Sequence, residues 1–438
     1  MWIARRRLLS LFAGAALAAA GLTAPTPAAA EPVRAGAETR PAVFIHGSAG
    51  SAMQFRTQAK RLASNGYPIE LIEAHEYDSP NIATIIASVY ADLDARIARL
   101  LAASGAEQVD LLAHSLGTFV TQGYLNSSPA RAARVANYVN LDGRPATALP
   151  GGVRTLAIWG EGDPARTVAG ATNVHFPDQS HTQTVSSEES FREIYRFLQG
   201  REPRTTAVVP QRHPQVSGRA VLFPSNAGVG AATVELYPVS PLTGRRLTHR
   251  PARVQPVAAD GSFGPMPVLP YARYEFALVR AGQATHHFYF EPFVRSDAFV
   301  RLLTSRPGEG IGALVDTSDR HTALTFQRQK EWWGAEGDEL WIDGRNILNA
   351  ANAPRSKRVI GVFVFDDGSD GVTDLTAPLP EFFAVTFMTG MDVFIPAAQR
   401  RLGTVSILSR QRGGGFSAMP VPNWRSSEHR VSIEIDDH

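Results

Sequence analysis

Residues 109–117 have the sequence Val-Asp-Leu-Leu-Ala-His-Ser-Leu-Gly, in which an apolar run leads directly into a serine between small residues. The first four residues are predicted to form a buried strand, and residues 116–126 a helix. A tight strand-to-helix turn has room only for small side chains two positions before and after the serine, where Ala113 and Gly117 stand. The turn exposes the Ser115 hydroxyl, and the following helix directs its N-terminal N–H groups toward developing negative charge. Ser115 is therefore the candidate nucleophile.

The sequence around this motif predicts a parallel sheet covered by helices. From residue 41 to 200, short apolar runs alternate with longer amphipathic stretches, which is typical of this architecture. Strands are predicted at residues 42–45, 109–112, 138–141, 155–159 and 171–176, and helices at 52–66, 82–104, 116–126 and 187–199. In the longest helix, apolar residues recur at intervals of three and four, which places them on one face.

A second loop could complete a site around Ser115. The first predicted strand runs into Phe44-Ile45-His46-Gly47-Ser48-Ala49-Gly50. The two glycines allow the backbone to bend so that the N–H of Ser48 points at a substrate oxygen, and the N–H of Leu116 would be the second oxyanion donor. His46 is predicted to orient backbone. His114 is predicted to point away from its neighbour Ser115.

A serine nucleophile also needs a general base and a carboxylate that orients this base. Asp163 follows the strand 155–159 at the carboxyl edge of the sheet, and Glu161 in the same loop is the alternative. His181 lies between the last predicted strand and the closing helix, with His175 as its alternative. Ser115, Asp163 and His181 are the predicted triad.

The pattern of apolar and turn-forming residues changes beyond residue 200. Short apolar runs are separated by Pro and Gly every eight to twelve residues, which predicts an all-β region of one or two sandwich or barrel domains. We expect a catalytic domain at 41–200, a linker at 201–215, a β-sandwich-like domain at 216–284 and a β-rich domain at 285–438. The last of these is the candidate lipid-binding or substrate-binding domain.

Composition excludes several classes of protein. The 438 residues contain no cysteine, which excludes disulfide scaffolds, Cys-ligated metal sites and a Cys nucleophile. The formal net charge of +2 gives no electrostatic reason to expect nucleic acid as a partner. No metal or organic cofactor is expected for serine chemistry.

Residues 1–30 have the layout of a secretory signal peptide. Arg5, Arg6 and Arg7 precede a 15-residue apolar run, and small residues precede Glu31. Cleavage after Ala30 would change the net charge from +2 to −1, because it removes three arginines and no acidic residue. We expect export by the twin-arginine or the Sec route, with no stable membrane span in the mature form; a retained anchor is the alternative.

Residues 41–200 resemble the secreted bacterial α/β-hydrolase lipases, especially the small ones whose nucleophile motif begins with Ala, as Ala113 does here. The segment from Val43 to Gly50 is similar to their oxyanion loop. The β remainder is similar to the C-terminal β domains of some prokaryotic lipases, archaeal ones included, which are taken to bind lipid. The resemblance implies a secreted serine ester hydrolase that acts on neutral lipids or other acyl esters, with a lipid–water interface as a possible place of action. A polyester depolymerase or cutinase-like esterase is one alternative, and a noncatalytic binding protein on a hydrolase scaffold is another.

The sequence also predicts how the site is covered. Only about ten residues separate the strand ending near Asp142 from the next strand, too few for a helical cap. Any cover must come from residues 67–81, residues 123–135 or the β region. Four apolar residues are expected near the cleft, with core positions as the alternative for the last two: Met53, Phe55, Leu116 and Phe119.

Three features of the β region have a structural and a functional interpretation. The pair Trp332-Trp333 is predicted to pack in a β-domain core, with an aromatic platform as the alternative. The segment 366–371 is predicted to be an acidic turn, with a calcium site as the alternative. His286-His287 is predicted on a strand surface.

Overall fold

The computed structural model describes residues 39–398 and 403–437. The predicted signal peptide at 1–30 lies outside these residues. No helix of the described residues is long and apolar enough to cross a membrane.

The first half of the described chain contains a parallel sheet of six strands. Their order in the sheet is β2-β1-β3-β4-β5-β6. The strands are β1 (Ala42–Ile45), β2 (Ile72–His75), β3 (Val109–His114), β4 (Val135–Leu141), β5 (Arg154–Trp159) and β6 (Thr172–His175). All residues of β1 and β3 are buried, because helices cover both faces of a parallel sheet.

Six helices accompany this sheet and form two apolar layers with it. They are α1 (Arg56–Ser64), α2 (Ile82–Ser104), α3 (Leu116–Ser127), α4 (Pro129–Ala132), α5 (Gln183–Ser186) and α6 (Glu188–Gln199). Apolar residues of α1, α5 and α6 pack on one face of the sheet, and those of α2 and α3 on the other. The predicted parallel sheet flanked by helices is confirmed.

The predicted elements of this half differ from the observed ones at the first helix and at an edge strand, and the short helices α4 and α5 were not predicted. The first predicted helix, 52–66, is a 3-10 turn at Ala52–Phe55 followed by α1. Strand β2 was not predicted, because its sequence Ile-Glu-Ala-His is short and half polar. As an edge strand, β2 buries only its first and last residues, so a purely apolar run is not required there.

The second half of the chain is built from β sheets, as predicted. The largest sheet has eight strands in the order β10-β9-β12-β13-β24-β15-β18-β19. Smaller sheets have the orders β11-β7-β14 with β8 beside β7, β17-β16-β21-β22, and β20-β23. A short helix, α7 (Pro380–Phe383), precedes β19. The strands are β7 (Gln215–Leu222), β8 (Ala227–Gly228), β9 (Thr233–Val239), β10 (Arg253–Pro256), β11 (Ser262–Pro267), β12 (Arg273–Val279), β13 (Thr285–Phe290), β14 (Asp297–Thr304), β15 (Leu324–Trp332), β16 (Glu339–Ile342), β17 (Arg345–Asn346), β18 (Val359–Phe365), β19 (Met388–Asp392), β20 (Thr404–Val405), β21 (Ile407–Arg410), β22 (Phe416–Ala418), β23 (Val421–Pro422) and β24 (His429–Ile435).

The two β domains that were predicted at 216–284 and 285–438 share the eight-stranded sheet. Phe288 of β13 pairs with Phe276 of β12 on one side and with Ser432 of β24 on the other. The predicted boundary therefore falls inside a hairpin. The spacing of apolar runs, Pro and Gly could not reveal this pairing, because β24 follows its partner β13 by more than a hundred residues.

Of two smaller predictions for the β region, one is confirmed and one is wrong. Trp332 and Trp333 are buried, with Trp332 in the largest core cluster, as predicted. The strand-surface prediction for His286 and His287 is wrong: both are buried, and the Nδ1 of His287 lies 2.6 Å from Glu275 Oε1. The alternating pattern around them did not reveal that a second strand, β24, covers this edge.

Helix α1 joins the parallel sheet to the β region through buried polar contacts. All nine of its residues are buried, although most of them are polar. Arg56 forms an ion pair with Asp297 and a second one with Asp436 at 2.5 Å, and Lys60 contacts the same Asp436 at 2.8 Å. The predicted linker is also bound to α1, since the Val209 N–H donates to Ser64 Oγ at 2.9 Å. The described residues belong to one compact unit, Glu38–His438.

Candidate active site

Ser115 occupies a strained turn between β3 and α3. Its φ of 52° and ψ of −121° lie outside the regions that a residue with a side chain ordinarily adopts. Close packing enforces this turn: a Cβ on Gly117 would lie 2.4 Å from the carbonyl oxygen of Ile45, and one on Gly47 would lie 2.9 Å from the Ser115 Cβ. Glycine is thus required at both positions for the two loops to meet around the serine.

His46 holds the loop that faces Ser115. Its Nδ1 lies 2.7 Å from the carbonyl oxygen of Gly47, and its Nε2 accepts the N–H of Tyr77 at 3.1 Å. Because Nε2 accepts, Nδ1 carries the proton and donates to Gly47. Burial lowers the pKa of His46, so this ring is neutral and has both nitrogens engaged. The structural role that was predicted for His46 matches these contacts.

Ser48 and Leu116, the predicted oxyanion donors, belong to the two segments that pack together around Ser115. Ser48 is exposed on the loop after β1 and lines the same cavity as Ser115. Leu116 is the first residue of α3, where backbone N–H groups have no partner within the helix. The positive end of the α3 dipole is directed to the same place.

His181 is paired with a carboxylate that was not predicted. Its Nδ1 lies 2.6 Å from the Oδ2 of Asp142, the residue that follows β4. The other oxygen of Asp142 accepts the N–H of Gly160 at 2.8 Å and lies 3.0 Å from Nη1 of Arg166. Burial alone would raise the pKa of Asp142, but His181, Gly160 and Arg166 together hold this pKa below its usual value. Asp142 is therefore an ionised carboxylate that orients the imidazole.

The predicted acid, Asp163, has a different environment. It is exposed in the loop after β5, and its Oδ1 accepts the N–H of Ala165 at 2.8 Å, which closes a local turn. The alternative, Glu161, forms an ion pair with Arg355 of the β region at 2.5 Å. The structure therefore corrects the predicted triad at this position.

The reason for the error is the strand order. Strand β4 lies directly beside β3, so its carboxyl end is next to the turn that carries Ser115. The sequence does contain a signal, because Asp142-Gly143 directly follows a predicted strand and carboxylates at such positions meet at one edge of a parallel sheet. Two loops thus offered a suitable carboxylate, and their spacing along the chain does not decide which one reaches His181.

His114 connects the Ser115 turn to the His181 loop. Its Nδ1 accepts a hydrogen bond from Nε2 of Gln54 at 2.8 Å, and its Nε2 donates to the carbonyl oxygen of His181 at 3.1 Å. Burial lowers the pKa of His114 well below the usual value. The alternative base, His175, is exposed and contacts the carbonyl oxygen of Arg166. His181 is thus the imidazole that the structure brings to the Ser115 turn and pairs with a carboxylate.

Glu331 of β15 binds the His181 loop to the β region. The Oε1 of this buried carboxylate accepts the N–H of Thr182 at 2.8 Å, and Oε2 accepts the hydroxyl of Ser180. Both neighbours of His181 are therefore bound by one side chain. Arg412 supports the same loop, because its Nη2 donates to Ser180 Oγ at 3.2 Å. The sequence offered no signal for Glu331 beyond a charged residue in an otherwise buried strand.

A large apolar cavity begins at Ser115 and extends along the β region. Its empty space, including the opening to solvent, is about 1430 Å³. Ser48, Met53 and Thr182 line it from the side of the parallel sheet. Apolar residues of the β region form most of the remaining wall, among them Phe223, Leu303, Ile311, Phe363, Phe365 and Met388. Of the three segments that could have covered the site, the β region lines the cavity.

The other apolar residues that were expected near the cleft lie elsewhere. Phe55 is buried under the sheet and stacks on Phe44 with ring centroids 4.7 Å apart. Leu116 packs partly against the core, and Phe119 is exposed beneath the guanidinium of Arg144. Met53 alone among the four expected residues lines the cavity.

No group of three or more His, Asp or Glu side chains among residues 39–398 and 403–437 could hold a metal ion. The acidic segment that was weighed as a calcium site is organised by its own backbone. Asp366 accepts the N–H of Gly371 at 3.0 Å, and Asp370 accepts the N–H of Val372 at 2.8 Å.

Three family models each match a part of the chain. Residues 39–131 match the model of the family described as Lipase (class 2), and residues 212–307 match that described as Lipase C-terminal domain. A third model, of a C-terminal domain, matches residues 310–438. No curated protein matches the chain.

Solved structures with partial similarity include three hydrolases. Lipase B of Aspergillus fumigatus is 13% identical over 38% of this chain, with a TM-score of 0.30, and the chain covers only about half, 54%, of that lipase. Phospholipase PlaB of Legionella pneumophila is 10% identical over 61% of this chain and 94% of its own, with a TM-score of 0.29. A CIB-like hydrolase of Thermoplasma acidophilum is 16% identical over 37% of this chain and 88% of its own, with a TM-score of 0.28.

Proposed function

Because the chain is a lipase-type α/β hydrolase with a C-terminal β region, we propose that it cleaves acyl esters through an acyl-enzyme formed on Ser115. The observation that carries this proposal is the Asp142–His181 pair, held beside the Ser115 turn where an apolar cavity begins. A paired imidazole next to a strained serine is suited to acyl transfer, and an apolar cavity is suited to an acyl chain.

In the proposed reaction, Ser115 Oγ attacks the ester carbonyl carbon as His181 Nε2 takes the hydroxyl proton. Asp142 holds the imidazole with its proton on Nδ1 and stabilises the imidazolium that forms. The N–H groups of Ser48 and Leu116 bind the oxyanion. His181 then protonates the leaving alcohol, and a water molecule that it deprotonates releases the acyl group and restores Ser115.

The proposal is tested by the hydrolysis of p-nitrophenyl esters of increasing acyl length and of an emulsified triglyceride by the purified chain. We expect activity on both, with kcat/KM rising from short to long acyl chains, since each buried methylene contributes about 0.8 kcal/mol. Activity on a dissolved polyester oligomer but on no acyl lipid would instead favour a polyester hydrolase. Binding without hydrolysis of any ester would contradict the proposal.

Narrowing the cavity at Gly361 should shorten the acyl chain that the protein prefers. This glycine lines the cavity on β18, and a Cβ there would contact Met388 Cγ at an ordinary 3.7 Å. In Gly361→Leu we expect kcat/KM for p-nitrophenyl palmitate to fall about tenfold to a hundredfold while the value for the butyrate changes little, since two or three methylenes lose their burial. Gly361→Ala is the matched control and should keep the wild-type profile. Equal losses on both esters in Gly361→Leu would argue against an acyl site here.

Removing the Glu331 carboxylate should slow turnover without weakening substrate binding. Glu331→Ala leaves the buried N–H of Thr182 without its acceptor, so the His181 loop loses a fixed position. We therefore expect kcat on p-nitrophenyl butyrate to fall about tenfold to a hundredfold, with KM nearly unchanged. Glu331→Gln keeps one acceptor oxygen and should recover part of the rate. The loss of this support for the loop should also change the dependence of kcat/KM on pH. A loss of thermal stability with an unaltered kcat and pH profile would reduce Glu331 to a structural role.

A further inference from the structure

One wall of the cavity carries positive charge that no carboxylate balances. We call Arg280, His286 and Arg430 the basic cluster. His286 of β13 and Arg430 of β24 are register partners on adjacent strands, and both line the cavity. Arg280 follows β12 and lies behind Thr304, which also lines the cavity.

The two guanidinium groups of the basic cluster are only partly hydrogen-bonded. Arg280 donates from Nη1 to the carbonyl oxygen of Ser305 at 3.2 Å and from Nη2 to Thr304 Oγ1 at 3.1 Å, but its buried Nε has no partner. Arg430 donates only from Nη1, to the carbonyl oxygen and the hydroxyl of Ser305, at 3.4 and 3.2 Å. Within residues 39–398 and 403–437, neither arginine forms an ion pair. Donor capacity therefore remains available at the cavity wall.

Other buried arginines form ion pairs with carboxylates. Arg301 contacts Glu76 at 2.7 Å, and Arg328 contacts Asp338 at the same distance. In the basic cluster, burial and the charge of Arg430 lower the pKa of Arg280 to about 10, and burial lowers the pKa of Arg430. A partly buried cation without a counterion is unfavourable, so an anion that entered the cavity would relieve this cost.

His286 adds no charge to the cavity wall. Its Nδ1 lies 3.0 Å from Thr304 Oγ1, and its Nε2 lies 2.8 Å from Ser432 Oγ. Burial, together with the charges of Arg430 and Arg280, lowers its pKa well below the ordinary value, so the ring is neutral. The neutral ring accepts the proton of one of these two hydroxyls, whereas the Ser305 hydroxyl accepts from Arg430 Nη1 and can donate its own proton to a bound oxyanion.

Apolar side chains border the basic cluster within the same cavity. Leu303 is adjacent in sequence to Thr304, and Ile311 and Val315 also line the cavity. A ligand that fits both the apolar side chains and the basic cluster has an alkyl chain and an oxyanion. Arginine is the side chain best suited to bind carboxylate or phosphate in two-point contact.

We propose that Arg430, supported by Arg280, is a subsite for the oxyanion of an acyl amphiphile bound in this cavity. The inference rests on the proposed function in one respect, namely that the cavity receives acyl chains. Two sources share the required chemistry: the phosphate of a glycerophospholipid and the carboxylate of a fatty acid.

The test is direct binding to the full chain carrying Ser115→Ala, so that no turnover interferes. Decyl phosphate, decanoate and decanol have the same alkyl chain, and each is titrated calorimetrically below its micelle concentration. We expect at least one anionic probe to bind about tenfold or more tightly than decanol, as hydrogen bonds to a charged group allow. An advantage for decyl phosphate alone assigns the subsite to a phospholipid, and one for decanoate alone assigns it to a fatty acid. Equal affinity for all three probes overturns the proposal.

Variants separate the subsite from a general preference for anions. Arg430→Gln should abolish the anionic advantage, Arg430→Lys should keep most of it, and Arg192→Gln, at an exposed position on α6, should leave it unchanged. An advantage that survives in Arg430→Gln overturns the assignment. If Arg430→Gln does not fold, the second measurement is the salt dependence of binding to the chain that keeps Arg430. The affinity of the anionic probes relative to decanol should then fall as the NaCl concentration rises.

The outcomes for the subsite and for the proposed function are independent. Anionic probes that bind through Arg430 to a protein without esterase activity would keep the subsite and remove the proposed function. Ester hydrolysis without any anionic preference would keep the proposed function and remove the subsite.

Discussion

Ser115→Ala is expected to lower kcat on p-nitrophenyl butyrate by about four orders of magnitude or more. The substitution removes the oxygen that would form the acyl-enzyme, while the cavity and the oxyanion donors remain in place. Binding of ester should therefore persist, with KM changed far less than kcat. The rates of wild type and variant are compared with the uncatalysed rate in the same buffer.

The control for this substitution is Ser88→Ala. Ser88 is exposed on α2 and hydrogen-bonds only locally, to the carbonyl oxygen of Ile85. We expect wild-type kcat in this variant and similar melting temperatures in both. Activity in Ser115→Ala close to that of the wild type would mean that another residue is the nucleophile.

The β region contributes more to the site than an appended binding domain would. It lines the apolar cavity, holds both neighbours of His181 through Glu331, and reaches the loop at His46 through Asn226, whose Nδ2 donates to the carbonyl oxygen of Gly50 at 2.9 Å. The buried polar residues of α1 face it as well, so its removal would leave Arg56 without its carboxylates. We infer that the parallel sheet and the β region depend on each other for stability.

Local patterns predicted the parallel sheet and its helices because the signal there is strong. Strands β1 and β3 are buried on both faces and rich in apolar residues, and α2 repeats its buried residues every three or four positions until Gly105 ends it with a φ of 74°. The Ser115 turn was also predictable, since steric limits on its neighbours determine residue types directly. What these signals share is that each is carried by residue types within a few positions of one another, even where the packing that requires them comes from a distant segment.

Features that depend on distant parts of the chain were not predictable. Glu331 acts on a loop that precedes it by about 150 residues, and β24 completes a sheet begun by β9. The burial of α1 follows from Asp297 and Asp436, which no pattern inside the helix indicates. In each case the sequence shows a polar residue but gives no indication of its partner.

Asp142→Asn is expected to lower kcat by about three to four orders of magnitude, whereas Asp163→Asn should stay within about twofold of the wild type. An amide at position 142 can donate to His181 Nδ1, which would move the imidazole proton to Nε2 and prevent it from accepting the proton of Ser115. At position 163, asparagine keeps the oxygen that accepts the Ala165 N–H, so the local turn should persist.

The same pair of variants decides which loop supplies the acid. Because the pKa of Asp142 lies below its usual value, its carboxylate should remain ionised through the neutral range and lose its effect only as the pH falls through that lowered pKa. Asp142→Asn should therefore depress kcat at every pH from neutral upward, and no change of pH should restore it. If Asp163→Asn were instead the inactive variant, the loop after β5 would have to replace Asp142 at His181 in solution. That exchange would break the contacts of Asp142 with Gly160 and Arg166, so the two substitutions separate the alternatives in a single measurement of kcat.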